Sequence, residues 1–196
     1  MSTPDSGEPL AELQPLRHSW LLVPHARLRV VKLGQLSTPR GVAFTAGVTL
    51  DGRPVGAIHN SGHGGATVFA PLDRAAFGRA ELDEYVQASR TSRGALVTTE
   101  WVLEELITEY EGDRHIDRAA TSNQLAVRRL VKRTIDLSPN TTVFDVSSLR
   151  TVPSDAARRH RTGLAGLLPA PESDQWWQVW TTDNGWTDVT TRPDDV

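Results

Sequence analysis

Val42, Phe44, Ala46, Val48 and Leu50 alternate with Ala43, Thr45, Gly47 and Thr49, the period of a strand with one apolar face. Asp51-Gly52 follows, and a second strand-like run begins at Arg53. An Asp-Gly pair between two such runs folds the chain back, because both turn residues must take positive φ. The sequence therefore predicts a two-residue hairpin joining 41–50 to 53–60. In a regular register Leu50 faces Arg53, Val48 faces Val55, Ala46 faces Ala57 and Phe44 faces His59. His59 then shares the apolar face with Phe44, and Pro54, opposite Thr49, marks an outer edge.

The rest of the chain is read around this hairpin. Leu28, Val30 and Val31 suggest a strand over 27–33, and 66–70 a further strand ended by Pro71. The run 79–88 carries Leu82, Tyr85 and Val86 at helical spacing. In 99–111, Val102, Leu103, Leu106, Ile107 and Tyr110 form an i, i+3/i+4 stripe. Thr98 or Thr99 suits its N-cap and Gly112 its stop. Leu125, Leu130, Val131 and Ile135 read as another amphipathic helix over 121–135, and 154–168 as a basic helix. A strand is expected at 142–146 and a hairpin around Asn184-Gly185 within 176–189. Strands, then helices, then strands give an α+β fold: an antiparallel sheet built on the 41–60 hairpin with amphipathic helices packed on one face. Residues 1–16, polar with three prolines, read as a disordered tail. Residues 17–196 read as a single α+β domain with a Trp-rich C-terminal segment.

Composition narrows the setting. The chain has 196 residues and no cysteine, so disulfides, thiolate metal sites and thiol nucleophiles are excluded together. Its start lacks a basic and apolar leader, and its longest apolar runs fall far short of the roughly 20 residues that span a bilayer. A soluble, cytoplasmic protein without a membrane anchor is expected. The net charge of −3 conceals segregation: residues 100–117 carry −6, 118–161 carry +6 and 171–196 carry −5. Such blocks neutralise one another within the fold or meet a charged partner.

Four features carry candidate chemistry. Asn60, Gly62, His63, Gly64 and Gly65 form a loop whose amides can make an anion-binding nest; the same glycines equally suit a tight connection. His59 and His63, with Asp73, His25 or His115 as a third group, can be weighed as metal ligands or an acid/base pair. His59 reads better as a packed side chain, and no metal or cofactor is expected. Arg128, Arg129, Lys132 and Arg133 on the expected helix can track a nucleic-acid backbone, or form a face neutralised within the fold. Four of the six tryptophans lie in 176–186. Alternation there buries Trp176 and exposes Trp177; core or inter-strand packing is the safer reading of the cluster, with Trp177, Trp180 and Trp186 as the partner-binding candidates. Glu104, Glu105 and Glu109, set apart from the apolar stripe, read as a wet helix face, and no catalytic residue stands out.

The block FTAGVTLDGRPVGAIHNSGHGGATVF, through Phe44, Asp51, Gly52, Gly56, Asn60, Gly62, Gly64 and Gly65, resembles uncharacterised bacterial and phage proteins in which strand, turn, strand and Asn-x-Gly-x-Gly-Gly loop occur together. Ser61 stands where an acidic residue is expected. The resemblance implies the hairpin and loop, and a setting in phage or mobile-element biology. The resulting expectation is a non-enzymatic binding or accessory protein with a protein partner, acting through the glycine loop or the Trp-rich surface. The alternatives are a nucleic-acid-binding protein using the basic 118–161 region, and a phosphate- or nucleotide-binding hydrolase using the loop with His59 and His63.

Overall fold

The structure is a computed structural model that describes residues 13–135, 141–157 and 161–193. Strands β1 (Gln14–Pro15) and β2 (Leu21–Val23) precede β3 (Leu28–Thr38), β4 (Gly41–Leu50) and β5 (Arg53–Asn60). Asp51 and Gly52 turn the chain with φ of 51° and 78°. Leu50 pairs with Arg53 and Thr49 with Pro54, but Val48 then pairs with Gly56, leaving Val55 as a bulge. Beyond it Ala46 faces Ile58 and Thr45 faces His59. The expected Phe44–His59 pair is therefore corrected: Phe44 faces Asn60, and His59 is exposed. Val55 and Ile58 are three residues apart and would take opposite faces of a regular strand. The bulge shifts the phase by one, so both are buried. Gly56 permits it, since a Cβ there would lie 2.5 Å from the Phe69 ring.

Strand β6 (Val68–Pro71) completes the order β3-β4-β5-β6. Pairing of β5 with β6 ends at Gly56–Pro71, short of Pro54. Helix α1 (Arg79–Ala88) buries Leu82, Tyr85 and Val86; β7 (Arg90–Thr91) joins β2 and β1 in a small sheet. Because Gln14–Pro15 pairs with Leu22–Val23 and Leu16 is buried, the expected tail gives way to folded chain by residue 14; residues 1–12 lie outside the described residues. Helix α2 (Thr99–Thr121) starts at Thr98, whose hydroxyl accepts from the Trp101 amide at 3.2 Å. It does not stop at Gly112 but continues to Thr121, ending where Asn123 takes φ of 52°. Val102, Leu103, Leu106 and Ile107 join α1 and the first sheet in one core. Each such fully buried aliphatic side chain contributes about 1.5–3 kcal/mol.

The second half departs further. Residues 124–135, expected as a helix, form strand β8 (Gln124–Ile135). It pairs with β9 (Thr141–Pro153) and with β10 (Gln175–Thr181), which pairs with β11 (Gly185–Asp188). The order is β11-β10-β8-β9. Both faces of β8 are covered: Ala126, Arg128 and Leu130 are buried towards α2, and Val127 belongs to a second core with Val152, Leu164, Trp177 and Val179. A strand with apolar residues on both faces has no period of two, so its sequence mimics a helix. The basic helix expected over 154–168 is two short pieces, α3 (Ser154–Ala157) and α4 (Arg161–Ala165); residues 158–160, with Arg158 and Arg159, lie outside the described residues. Among the described residues no helix is long and apolar enough to cross a membrane.

Candidate functional site

Helix α2 has two working faces. Its apolar stripe packs on the first sheet, and the adjacent row Glu104, Glu105, Thr108 and Glu111 lines a cleft of about 550 Å³ whose other wall is the β9 segment 144–149. His18, Gly112, Arg128 and Trp186 also line the cleft. Its volume falls in the range of small-ligand sites, and its lining is mainly polar with three aromatic rings.

Of the two adjacent carboxylates on this wall, Glu104 is exposed and Glu105 half-buried. Burial pushes Glu105 up to about 7, with the Asp145 and Glu104 carboxylates adding to the rise and hydrogen bonds from Trp101 and Ser19 opposing it. The Trp101 indole N–H donates to Glu105 Oε1 at 2.8 Å. Glu104 is also raised, first by burial and then by Glu100 and Asp145, while the Thr67 hydroxyl donates to it at 3.2 Å. Across the cleft Arg133 and Asp145 form an ion pair at 2.6 Å.

Behind the cleft lies a buried polar network. Arg128, 4% exposed, donates from Nε to Gln178 Oε1 at 2.9 Å and from a terminal nitrogen to the His18 carbonyl. Its guanidinium lies 5.1 Å from the Trp20 ring centre and 4.3 Å from that of Trp186. Burial lowers it to about 9, against the attraction of Glu109, Asp188 and Glu105. Glu109 accepts from the backbone amides of Arg17 and His18, and burial nonetheless pushes it up to about 7. The Trp186 indole is a donor only, so His18 Nδ1 accepts its N–H at 2.9 Å. His18 Nε2 therefore carries the proton and donates to Asp113 Oδ1 at 2.9 Å. This imidazole is neutral, and burial lowers its pKa before Asp113 raises it.

The residues singled out from sequence fall differently. Asn60 closes the glycine loop on itself: Oδ1 accepts from Gly62 N at 2.8 Å, and Nδ2 donates to the Gly65 carbonyl at 3.0 Å and to Thr67 Oγ1 at 3.1 Å. Gly62 and Gly64 take φ of 70° and 83°, and His63 is exposed. None of these loop residues lines the cleft, but Asn60, Thr67 and Glu104 form a continuous hydrogen-bonded chain into its wall. Among the described residues no three acidic or histidine side chains gather as a metal site.

The four basic candidates do not share a helix face. Arg128 is interior, Arg129 bonds Ser147 Oγ at 3.0 Å, Arg133 pairs with Asp145 and Lys132 is half-buried. Trp177, expected to be exposed, is fully buried with its indole N–H on the Pro169 carbonyl at 2.9 Å, because the second core covers that face of β10. Trp180 and Trp186 are half-buried with ring centres 5.4 Å apart, and of the three only Trp186 reaches the cleft. Sequence reasoning missed Glu105, His18 and Trp101. The available signal was the −6 block on α2 preceding a +6 block, which the fold does bring together. Comparison of the chain with protein-family models, with curated proteins and with solved structures finds no match.

Proposed function

We propose that this is a non-enzymatic binding protein whose binding site is the cleft between α2 and β9, with another protein as the favoured partner. The observation that carries this reading is the cleft itself, about 550 Å³ and walled by Glu104, Glu105, Trp101 and Phe144. Its imidazole and one of its hydroxyls are committed to structure. Both ring nitrogens of His18 are bonded, to Trp186 and Asp113. The Ser147 hydroxyl is held by Arg129, donating to its carbonyl at 3.2 Å. An activated nucleophile needs a base free to take its proton, and the His18 imidazole is not free to act as one. The phage or mobile-element setting follows from the resemblance of the 44–69 block and suits a protein partner.

A fragment library spanning cationic, neutral and anionic compounds, observed by NMR, tests the reading. Binders are expected to perturb the Trp101 and Trp186 indole signals, and Ser148→Trp, which fills the cleft from β9, abolishes the effect. If no fragment of any charge perturbs those indoles, or binders ignore Ser148→Trp, the reading fails.

A further inference from the structure

We propose that the cleft takes an organic cation, an ammonium or guanidinium group, held by the Glu104 and Glu105 carboxylates against the Trp101 and Phe144 rings. This rests on the cleft being the binding site, and adds the chemical class of what enters it.

Charge decides first. The lining carries Glu104, Glu105, Glu111 and Asp145 against Arg128 and Arg133. Arg133 is paired with Asp145 at 2.6 Å. Arg128 is spent inside the protein on the His18 carbonyl, Gln178 and the indoles of Trp20 and Trp186. An anionic group would meet the α2 carboxylates at close range. A neutral group would strip them of water without replacing it, and an uncompensated buried charge is costly. A cation both replaces the water and supplies charge-assisted hydrogen bonds.

The aromatic walls point the same way. Trp101 and Phe144 line the cleft, Trp186 being already covered by Arg128, and aromatic faces attract cations at close range. The protein already uses this pairing next door, where Arg128 lies over two indoles.

Titration supports the geometry. Glu105 is faced by Glu104 from its own helix, Ser19 from the chain before β2, Arg128 from β8 and Asp145 from β9. Burial holds its carboxyl near 7. A bound cation favours the ionised form, so binding releases a proton near neutrality and tightens as pH rises from 6 to 8.

The cation can sit on a lysine or arginine side chain of a protein partner, or on a free small amine. The chemistry is shared, and the probes separate the sources. Agmatine, butylamine, butyramide, butyrate and the capped tripeptides acetyl-Gly-Arg-Gly-amide and acetyl-Gly-Gln-Gly-amide are titrated into the full chain at pH 8, with the indole N–H signals of Trp101 and Trp186 as readout. Agmatine, butylamine or the arginine tripeptide is expected to shift both signals, and butyrate and the glutamine tripeptide to leave them. Tighter binding of the arginine tripeptide than of agmatine assigns the source to a partner side chain, and the reverse order to a small molecule. Glu105→Gln and, independently, the exposed-position variant Glu104→Gln each weaken the cation by about tenfold or more, as one lost charge-assisted contact predicts. Either variant alone suffices if the other disturbs the fold. Shifts from butyramide or butyrate with none from the three cations overturn the cation and leave the cleft as a binding site. Cation affinity unchanged in both variants overturns the proposal as well.

Discussion

Gly112 and His18 are fitted to each other: a Cβ on residue 112 would lie 2.5 Å from both Cγ and Cδ2 of the His18 imidazole. The glycine that reads from sequence as a helix stop is instead a notch in the middle of α2, cut for a ring that is hydrogen-bonded on both nitrogens. In an exposed helix interior, Gly→Ala stabilises by about 1 kcal/mol. Here Gly112→Ala reverses the sign and destabilises by about 1–3 kcal/mol, the usual cost of overpacking. Urea denaturation of the two proteins measures it, and a stabilised variant would show that the ring moves freely.

Arg128 is interior, so its removal is a stability experiment. Arg128→Ala leaves the His18 carbonyl and Gln178 Oε1 without their donor and removes the buried cation that attracts Glu109, Asp188 and Glu105. A loss of about 3–5 kcal/mol is expected for breaking a buried charge network on one side. Arg133→Ala, at a side chain 63% exposed, changes stability by less than about 1 kcal/mol. Were β8 a solvated phosphate-tracking face, both variants would be equally mild and would instead weaken DNA binding at low salt.

The tautomer of His18 is open to direct measurement. Trp186→Phe removes the donor that occupies Nδ1, leaving that nitrogen free to take a proton while Nε2–H stays on Asp113. The His18 pKa rises relative to wild type in the ¹⁵N shifts of the ring. A wild-type ring protonated on Nδ1 at pH 7 contradicts the assignment.

Glu105→Gln separates pH effects from packing. The folded-state pKa of Glu105 is raised to about 7 above its ordinary carboxylate value, so the folded protein binds this proton more tightly than the unfolded one. The stability associated with that proton is present at pH 4 and is lost as pH climbs through 7. The glutamine side chain keeps an acceptor for Trp101 but carries no charge. The thermal midpoint of the variant relative to wild type therefore improves steadily from pH 5 to pH 8. A difference independent of pH sinks the assignment.

Two glycines of the 62–65 loop distinguish sterics from strain. Gly62 and Gly64 share positive φ, but a Cβ on Gly62 would meet the Ala43 amide nitrogen at 2.5 Å, whereas Gly64 faces open space. Alanine at 64 costs about 1–2 kcal/mol for the left-handed backbone alone, and alanine at 62 costs more. Equal losses in a denaturant series would mean that the loop does not dock against β4.

What was readable in the sequence was what neighbours along the chain decide. The Asp51-Gly52 turn, the strand ends at Gly41 and Asn60, α1 and the Thr98 cap all follow from local sterics and periodicity. The bulge at Val55 was not legible, because it arises from both Val55 and Ile58 seeking one core. Strand β8 was misread because β9 and β10, which pair with it, are supplied by later chain. The same long-range event turns Glu105 from a wet helix residue into a cleft wall. The glycine loop carried the obvious signal and is bonded to itself through Asn60.

The central claim is that Glu105 on α2 is walled in by β9. A carboxyl-detected ¹³C NMR titration of Glu105 in the full-length protein tests it most directly. An inflection near pH 7 is the predicted result; one at the ordinary carboxylate value of about 4.3 would mean that this side chain stands in open water and that the cleft does not exist.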